Sequence, residues 1–191
     1  MNGKFPAVFL DRDGVLVEER NYLSRTEDVV LLEGAAEGIR LLSSVGLKIV
    51  IVTNQSGIGR GFFSEVDYLK VMERMFALLG KEGARIDRAY FCPHAPWEEC
   101  GCRKPLPGLV KKAAMELSID LRKSFVVGDK RSDMELARSI GAKAILVRTG
   151  YGADEEKAGE PIWDAVADRI SDAAALISTW VKEVKGDFVQ E

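Results

Sequence analysis

Five short runs made almost wholly of β-branched, aromatic and small apolar residues recur along the chain. They are Ala7-Val8-Phe9-Leu10, Lys48-Ile49-Val50-Ile51-Val52, Arg88-Ala89-Tyr90-Phe91, Ser124-Phe125-Val126-Val127 and Ala144-Ile145-Leu146-Val147. Runs of this length without polar alternation predict strands buried on both faces, as in a parallel sheet covered by helices. Between them the apolar period becomes helical. Ala35, Ile39 and Leu42 stop at Gly46, a residue suited to the position just past a helix end. Leu69, Met72, Phe76 and Leu79 follow Ser64, which can cap with Asp67. Val110, Ala113, Ala114 and Leu117 follow Pro107. These stripes are expected to face the core. Ile170, Ala173, Ile177 and Val181 predict a closing helix, with the tail from Lys182 to Glu191 fraying beyond it. The alternation predicts an α/β fold with a doubly wound, mostly parallel sheet.

At 191 residues, with no repeat and no linker-like stretch, the chain is expected to form one domain over residues 1–191. Hydrophobic residues at 47% and charged residues at 30% exclude a disordered or fibrous chain. No apolar run approaches the roughly 18 residues of a membrane span, so no membrane partner is expected. A net charge of −3 lacks the basic excess that nucleic acid selects. Met1 to Leu10 is too short for a secretory signal, so a cytoplasmic protein with reduced thiols is expected.

In an open α/β sheet, ligands bind beyond the carboxyl ends of the strands. The residues at those ends are rich in oxygen ligands: Asp11-Arg12-Asp13-Gly14, Thr53-Asn54-Gln55-Ser56-Gly57, and Gly128-Asp129-Lys130 with Asp133 following. Any one of these motifs has a plain alternative as a turn former. Together they put carboxylates on one edge with no soft ligand among them, which suits magnesium, a hard ion that prefers oxygen.

All three cysteines and the single histidine fall between positions 92 and 102, as Cys92, His94, Cys100 and Cys102. A C-x-H pair facing a C-x-C pair supplies a tetrahedral Cys3His zinc set, closed to a fifth ligand and therefore structural. The alternative is a disulfide plus a free thiol. Arg103-Lys104-Pro105 follow directly.

Taken in this order, the Asp-x-Asp, the strand-end hydroxyl and amide, the Arg-Lys pair and the Gly-Asp-x-x-x-Asp resemble the haloacid dehalogenase (HAD) superfamily of phosphotransferases, from Phe9 to about Gly152. That resemblance implies a Rossmann-like sheet, Asp11 as nucleophile and Asp13 as general acid and base. It implies catalytic Mg2+ held by Asp11, Asp129 and the main-chain carbonyl of Asp13. Lys104 and Thr53 would contact the transferring phosphate. Asp133 would orient Lys104 or a metal-bound water, unless it serves only the helix N-terminus. The spacing leaves no room for a full cap domain, so an open site is expected, with the zinc loop delivering Arg103 and Lys104 to its rim.

The Cys-x-His and Cys-x-Cys-Arg-Lys-Pro strings resemble the zinc-bearing branch of that superfamily, which holds phosphatases of heptose bisphosphate and of histidinol phosphate. Thr53-Asn54-Gln55-Ser56-Gly57-Ile58-Gly59-Arg60-Gly61, Tyr22 and Gly128-Asp129-Lys130 resemble the former more. The short stretch between His94 and Cys100 resembles the latter. The implied activity is removal of the 7-phosphate of a heptose 1,7-bisphosphate in nucleotide-heptose synthesis for surface polysaccharide, with histidinol phosphate as the alternative substrate. The implied substrate contacts are Glu19, Arg20, Asn21, Tyr22, Thr53, Asn54, Gln55, Ser56, Arg103, Lys104 and Lys130, with Arg103 and Lys130 on the phosphate that stays behind. A solvated Arg103 is the plainer alternative for that residue. Nothing in an open site requires a second subunit, so a monomer is expected.

Overall fold

Alternate residues of the central strands enter two separate cores, which is why those strands read as continuously apolar. In the computed structural model, which describes residues 3–186, the strands are β1 (Ala7–Leu10), β2 (Lys48–Asn54), β3 (Arg88–Cys92), β4 (Phe125–Gly128), β5 (Lys143–Val147) and β6 (Ala165–Ala167). They form one sheet in the order β3-β2-β1-β4-β5-β6, every neighbouring pair parallel. The helices are α1 (Ala35–Ser44), α2 (Ser56–Gly59), α3 (Glu65–Lys81), α4 (Gly108–Leu117), α5 (Arg131–Ile140), α6 (Gly152–Glu155) and α7 (Ile170–Gly186).

Val8, Leu10, Ile49, Ile51, Val127 and Ile145 pack on one face with residues of α1, α3 and α7. Ala7, Phe9, Val50, Val52, Val126 and Leu146 pack on the other with α4 and α5. Each fully buried side chain of this size contributes about 1.5–3 kcal/mol of transfer free energy. Because the strand order reverses between β1 and β4, their carboxyl ends open a crevice, and Asp11 and Asp129 lie there.

Three expectations change. β6 adds a sixth strand, and the closing helix runs through Gly186, past the expected fraying point at Lys182. The remainder of that predicted tail, 187–191, lies outside the described residues. The buried stripe of α3 is Tyr68, Val71, Met72, Met75 and Leu79, whereas Leu69 and Phe76 are 51% and 38% exposed. The helix is turned toward Tyr68 because that ring packs on Phe91, with centroids 4.3 Å apart, and lies under the Arg12 guanidinium. The Ser64–Asp67 capping box forms as the sequence predicts. Among the described residues no helix is long and apolar enough to cross a membrane.

Candidate active site

Asp11 follows β1 directly and extends its pairing, its N–H donating to the Val127 carbonyl at 3.1 Å. Its Oδ1 accepts from the Arg12 N–H at 2.8 Å and lies 3.0 Å from Lys104 Nζ. Lys104 Nζ also meets Asp133 Oδ1 at 2.6 Å. All three side chains are at most 6% exposed. Burial alone would raise the Asp11 pKa, but the Lys104 and Lys130 ammonium groups outweigh it and hold the carboxyl below its ordinary range. Both ammonium groups favour the ionised form of Asp11, and among the described residues Oδ2 makes no hydrogen bond or ion pair. Asn54 fixes Lys104 through the backbone, its Oδ1 accepting from the Lys104 N–H at 3.0 Å and its Nδ2 donating to the Lys104 carbonyl at 3.1 Å. Both ends of the Asn54 amide are therefore used to seat the lysine.

Asp129 sits beside them, fully buried. Its Oδ2 accepts from the Tyr151 N–H at 3.0 Å, and its Oδ1, 3.9 Å from Lys130 Nζ, accepts no hydrogen bond among the described residues. Gly14 and Gly150, both at positive φ, press against it: a Cβ on either would stand within 2.3 Å of Asp129 Oδ2. Burial and the neighbouring Asp11 charge push Asp129 up to about 8. Asp11, Asp129 and Asp133 bring carboxylate oxygens within 4.8 Å of one another. Buried carboxylates this crowded, one with an orphaned oxygen, fit a hard divalent cation. Asp133 is the least available of the three. Its Oδ1 is taken by Lys104 and its Oδ2 accepts from the Lys130 N–H at 3.2 Å, which caps α5. Asp133 thus touches Lys104 and the first turn of α5 at once.

Asp13 lies apart from that cluster. Arg12, 1% exposed, donates through Nε to Asp13 Oδ2 at 3.0 Å and through Nη2 to Oδ1 at 2.8 Å. Gln55 Nε2 donates to Asp13 Oδ2 and to Thr53 Oγ1, each at 2.9 Å. Asp13 Oδ1 accepts only from Arg12 among the described residues, which leaves one of its lone pairs unused. Thr53 lies behind Gln55 and outside the cavity lining, with its hydroxyl proton still available.

A cavity of 320 Å3 covers the Asp11 carboxylate, within the range of small-ligand pockets. Glu19, Asn21, Tyr22, Asn54, Gln55, Ser56, Arg103, Lys104 and Lys130 line it, as do Arg12, Ser132 and Tyr151, which sequence reasoning did not assign to it. Arg12 was legible only as the residue between two aspartates. Arg20 is outside the lining and pairs with Glu18. Residues two apart in an extended segment share a side, and Glu18 and Arg20 both turn to solvent. Lys130 Nζ reaches Glu19 at 3.0 Å, lies 4.7 Å from the Tyr151 ring centroid and stands 3.9 Å from Asp129 Oδ1. Arg103 carries a buried Nη1 without a partner.

The Cys92 Sγ lies 3.5 Å from His94 Nδ1 and 3.7 Å from Cys100 Sγ, and Cys102 Sγ is 3.3 Å from the same Nδ1. A disulfide would require about 2.05 Å between sulfurs, and all three thiols are free. Tetrahedral Zn–S bonds of about 2.3 Å place sulfurs roughly 3.8 Å apart. The donor set therefore fits zinc. Burial pushes the Cys92 thiol up to about 12, so a bound cation is what would favour its thiolate.

Residues 101–173 match the HAD-hydrolase-like family model. The sequence is 41% identical over 191 residues to D-glycero-beta-D-manno-heptose-1,7-bisphosphate 7-phosphatase of Yersinia pestis, covering 95% of this chain and 100% of the relative. It is 45% identical over 144 residues to the phosphatase of that name from Helicobacter pylori J99, covering 75% and 83%. The crystal structure of D,D-heptose 1,7-bisphosphate phosphatase from B. bronchiseptica, complexed with magnesium and phosphate, superposes with a TM-score of 0.86 at 30% identity. That match covers 92% of this chain and 99% of the other.

Proposed function

Because the chain belongs to the D-glycero-beta-D-manno-heptose-1,7-bisphosphate 7-phosphatase family of HAD-like hydrolases, we propose that it hydrolyses the 7-phosphate of a heptose 1,7-bisphosphate through a phosphorylated Asp11. The observation that carries the assignment is the ionised Asp11 carboxylate on the cavity floor, one oxygen held by Lys104 and the Arg12 N–H and the other free. In the first step Asp11 Oδ2 bonds to phosphorus as the bond from phosphorus to the sugar oxygen breaks, and Asp13 gives that oxygen a proton. In the second, water attacks the acyl phosphate, Asp13 takes the water's proton, and inorganic phosphate leaves a free Asp11 carboxylate. Lys104 donates to the transferring oxygens, the kind of preset donor worth a few kcal/mol, and the Thr53 hydroxyl holds Gln55 beside Asp13. Arg103, with its unpartnered Nη1, is assigned to the phosphate that remains.

Asp11, Asp129 and the Asp13 carbonyl would hold magnesium, with Asp133 holding Lys104 in place. The ion supplies positive charge that lets a carboxylate meet a phosphate. Cys92, His94, Cys100 and Cys102 would hold a structural zinc that closes the loop leading into Arg103 and Lys104. Three free cysteines gathered as metal ligands support a reducing compartment, and the protein is read as cytoplasmic on that ground.

The metal-free protein carries a pH signature. An unfolded aspartate titrates near 3.9, whereas folded Asp129 titrates at about 8. Between these values the folded state binds the extra proton, so stability falls as pH rises. The Tm of metal-free protein is expected to drop by several degrees between about pH 6 and about pH 8.5, and saturating Mg2+ to remove most of that slope. A flat metal-free profile would contradict the raised titration of the buried Asp129.

Phosphate release from the heptose 1,7-bisphosphate, its 1-phosphate and histidinol phosphate tests reaction and substrate together. One equivalent from the bisphosphate is expected, with kcat/KM at least roughly ten-fold above histidinol phosphate. A preference for histidinol phosphate would overturn the substrate assignment.

A further inference from the structure

Three segments surround the cavity: the flap after β1, the turn after α2, and the cysteine–histidine loop after β3. One side chain joins them. Arg60 places its guanidinium carbon 4.9 Å from the Trp97 ring centroid in the cysteine–histidine loop and 6.0 Å from the Tyr22 ring centroid in the flap. Its Nε is buried with no hydrogen-bond partner among the described residues. Phe62, two residues on, meets Tyr22 edge to face with centroids 4.8 Å apart. Tyr22 in turn lines the cavity, and Arg60 does not.

The base of this turn is seated firmly. Gln55 N–H donates to the Cys92 carbonyl and Gly59 N–H to the Pro93 carbonyl, both at 2.8 Å. A Cβ on Gly59 would stand 2.5 Å from Ala95 N, so α2 lies directly on the loop. The flap is the opposite case. Asn21 and Tyr22 are consecutive non-glycine residues at φ +47° and +75°, a conformation that surrounding contacts must hold. On one side Tyr151 Oη donates to Asn21 Oδ1 at 3.0 Å, and Lys130 pairs with Glu19. On the other side the holding contacts are Arg60 and Phe62.

We propose that Arg60 is a positioning residue that latches the flap to the cysteine–histidine loop, fixing Tyr22 against the sugar of a bisphosphate substrate in a site without a cap domain. The role toward substrate rests on the proposed sugar-phosphatase activity; the latch itself does not. A guanidinium between two rings from different segments couples them without a carboxylate, and with Trp97 67% and Tyr22 42% exposed each contact is of the partly solvated, weaker kind.

Arg60→Met keeps the aliphatic stem and removes the charge. It is expected to raise KM for the heptose bisphosphate about five- to ten-fold with kcat within about two-fold, given the usual strength of two such contacts. p-Nitrophenyl phosphate lacks a sugar to meet Tyr22, and both its constants should be unchanged. Arg60→Lys should recover most of the loss, and Trp97→Leu should reproduce it without adding to Arg60→Met. Equal losses of kcat on both esters, or additive effects of the two substitutions, would overturn the latch. Hydrogen exchange of the peptide spanning residues 19–24, read without substrate, is expected to accelerate in Arg60→Met and in Trp97→Leu. Unchanged exchange would overturn the latch on its own. Wild-type protein inert toward the bisphosphate would instead remove the substrate assignment, and exchange would still decide the latch.

Discussion

Asp11→Asn is expected to lower phosphate release by more than about 10^4-fold, as removal of a nucleophile does in other covalent mechanisms, while leaving the fold intact. The amide has the size of the carboxylate, and its oxygen can still accept from the Arg12 N–H and from Lys104 Nζ. What it cannot do is attack phosphorus as an anion. Stability should change little. Lys104 keeps Asp133 as an ion-pair partner, and removing one of three crowded carboxylates relieves Asp129, whose titration should move down from about 8 because the Asp11 charge is among its causes. The measurement is single-turnover phosphate release alongside thermal unfolding. Substantial remaining turnover by a folded variant would sink the aspartyl-phosphate mechanism. An inactive variant that has also unfolded would not support it, so the melting curve is part of the test.

The parts of this molecule that burial decides were legible in its sequence. Five strands announced themselves because both faces of β1, β2 and β4 are covered, and residue type then tracks position without alternation. β6 did not, because Ala165-Val166-Ala167 is three residues long at the sheet edge, half-buried, with a single β-branched residue. Helix α3 shows why periodicity fixes existence better than facing. Its sequence carries two overlapping apolar stripes, and a tertiary contact of Tyr68 with Arg12 and Phe91 chose between them. The same limit applies at the site. Strand ends located Asp11, Asp129 and Thr53, since topology alone brings those ends together. Side-chain direction was not legible: Thr53 lies behind Gln55, Asn54 spends its amide on the Lys104 backbone, Arg20 turns to Glu18, and Arg12 is buried against Asp13. Each depends on a partner distant in sequence or on a rotamer, which spacing does not encode.

Lys104→Met is expected to be costly twice over, and for one reason. Lys104 is 4% exposed, and burial alone would lower its pKa, but Asp11 and Asp133 outweigh that and keep it charged. Methionine fills the same stem and removes the only cation within 3.0 Å of either carboxylate among the described residues. Breaking a buried pair from one side costs about 3–5 kcal/mol, because the remaining charges have no compensation. Loss of a preset donor to the transferring phosphate lowers kcat by a further 10^2–10^3-fold or so. The stability loss should depend on pH. Asp133 is already raised by burial, and without Lys104, which lowers it, its titration moves higher still. A raised carboxyl means the folded state holds more protons than the unfolded one, so the variant's deficit relative to wild type should widen as pH rises above the ordinary carboxylate range. Lost packing alone would give a pH-independent deficit. Adding Asp133→Asn removes the stranded carboxylate, and its oxygen can still accept from the Lys130 N–H. The double variant should therefore regain part of the stability and none of the activity. No recovery of stability, with a pH-independent deficit, would mean that Lys104 acts as filler rather than as the cation that favours an ionised Asp11 among buried carboxylates.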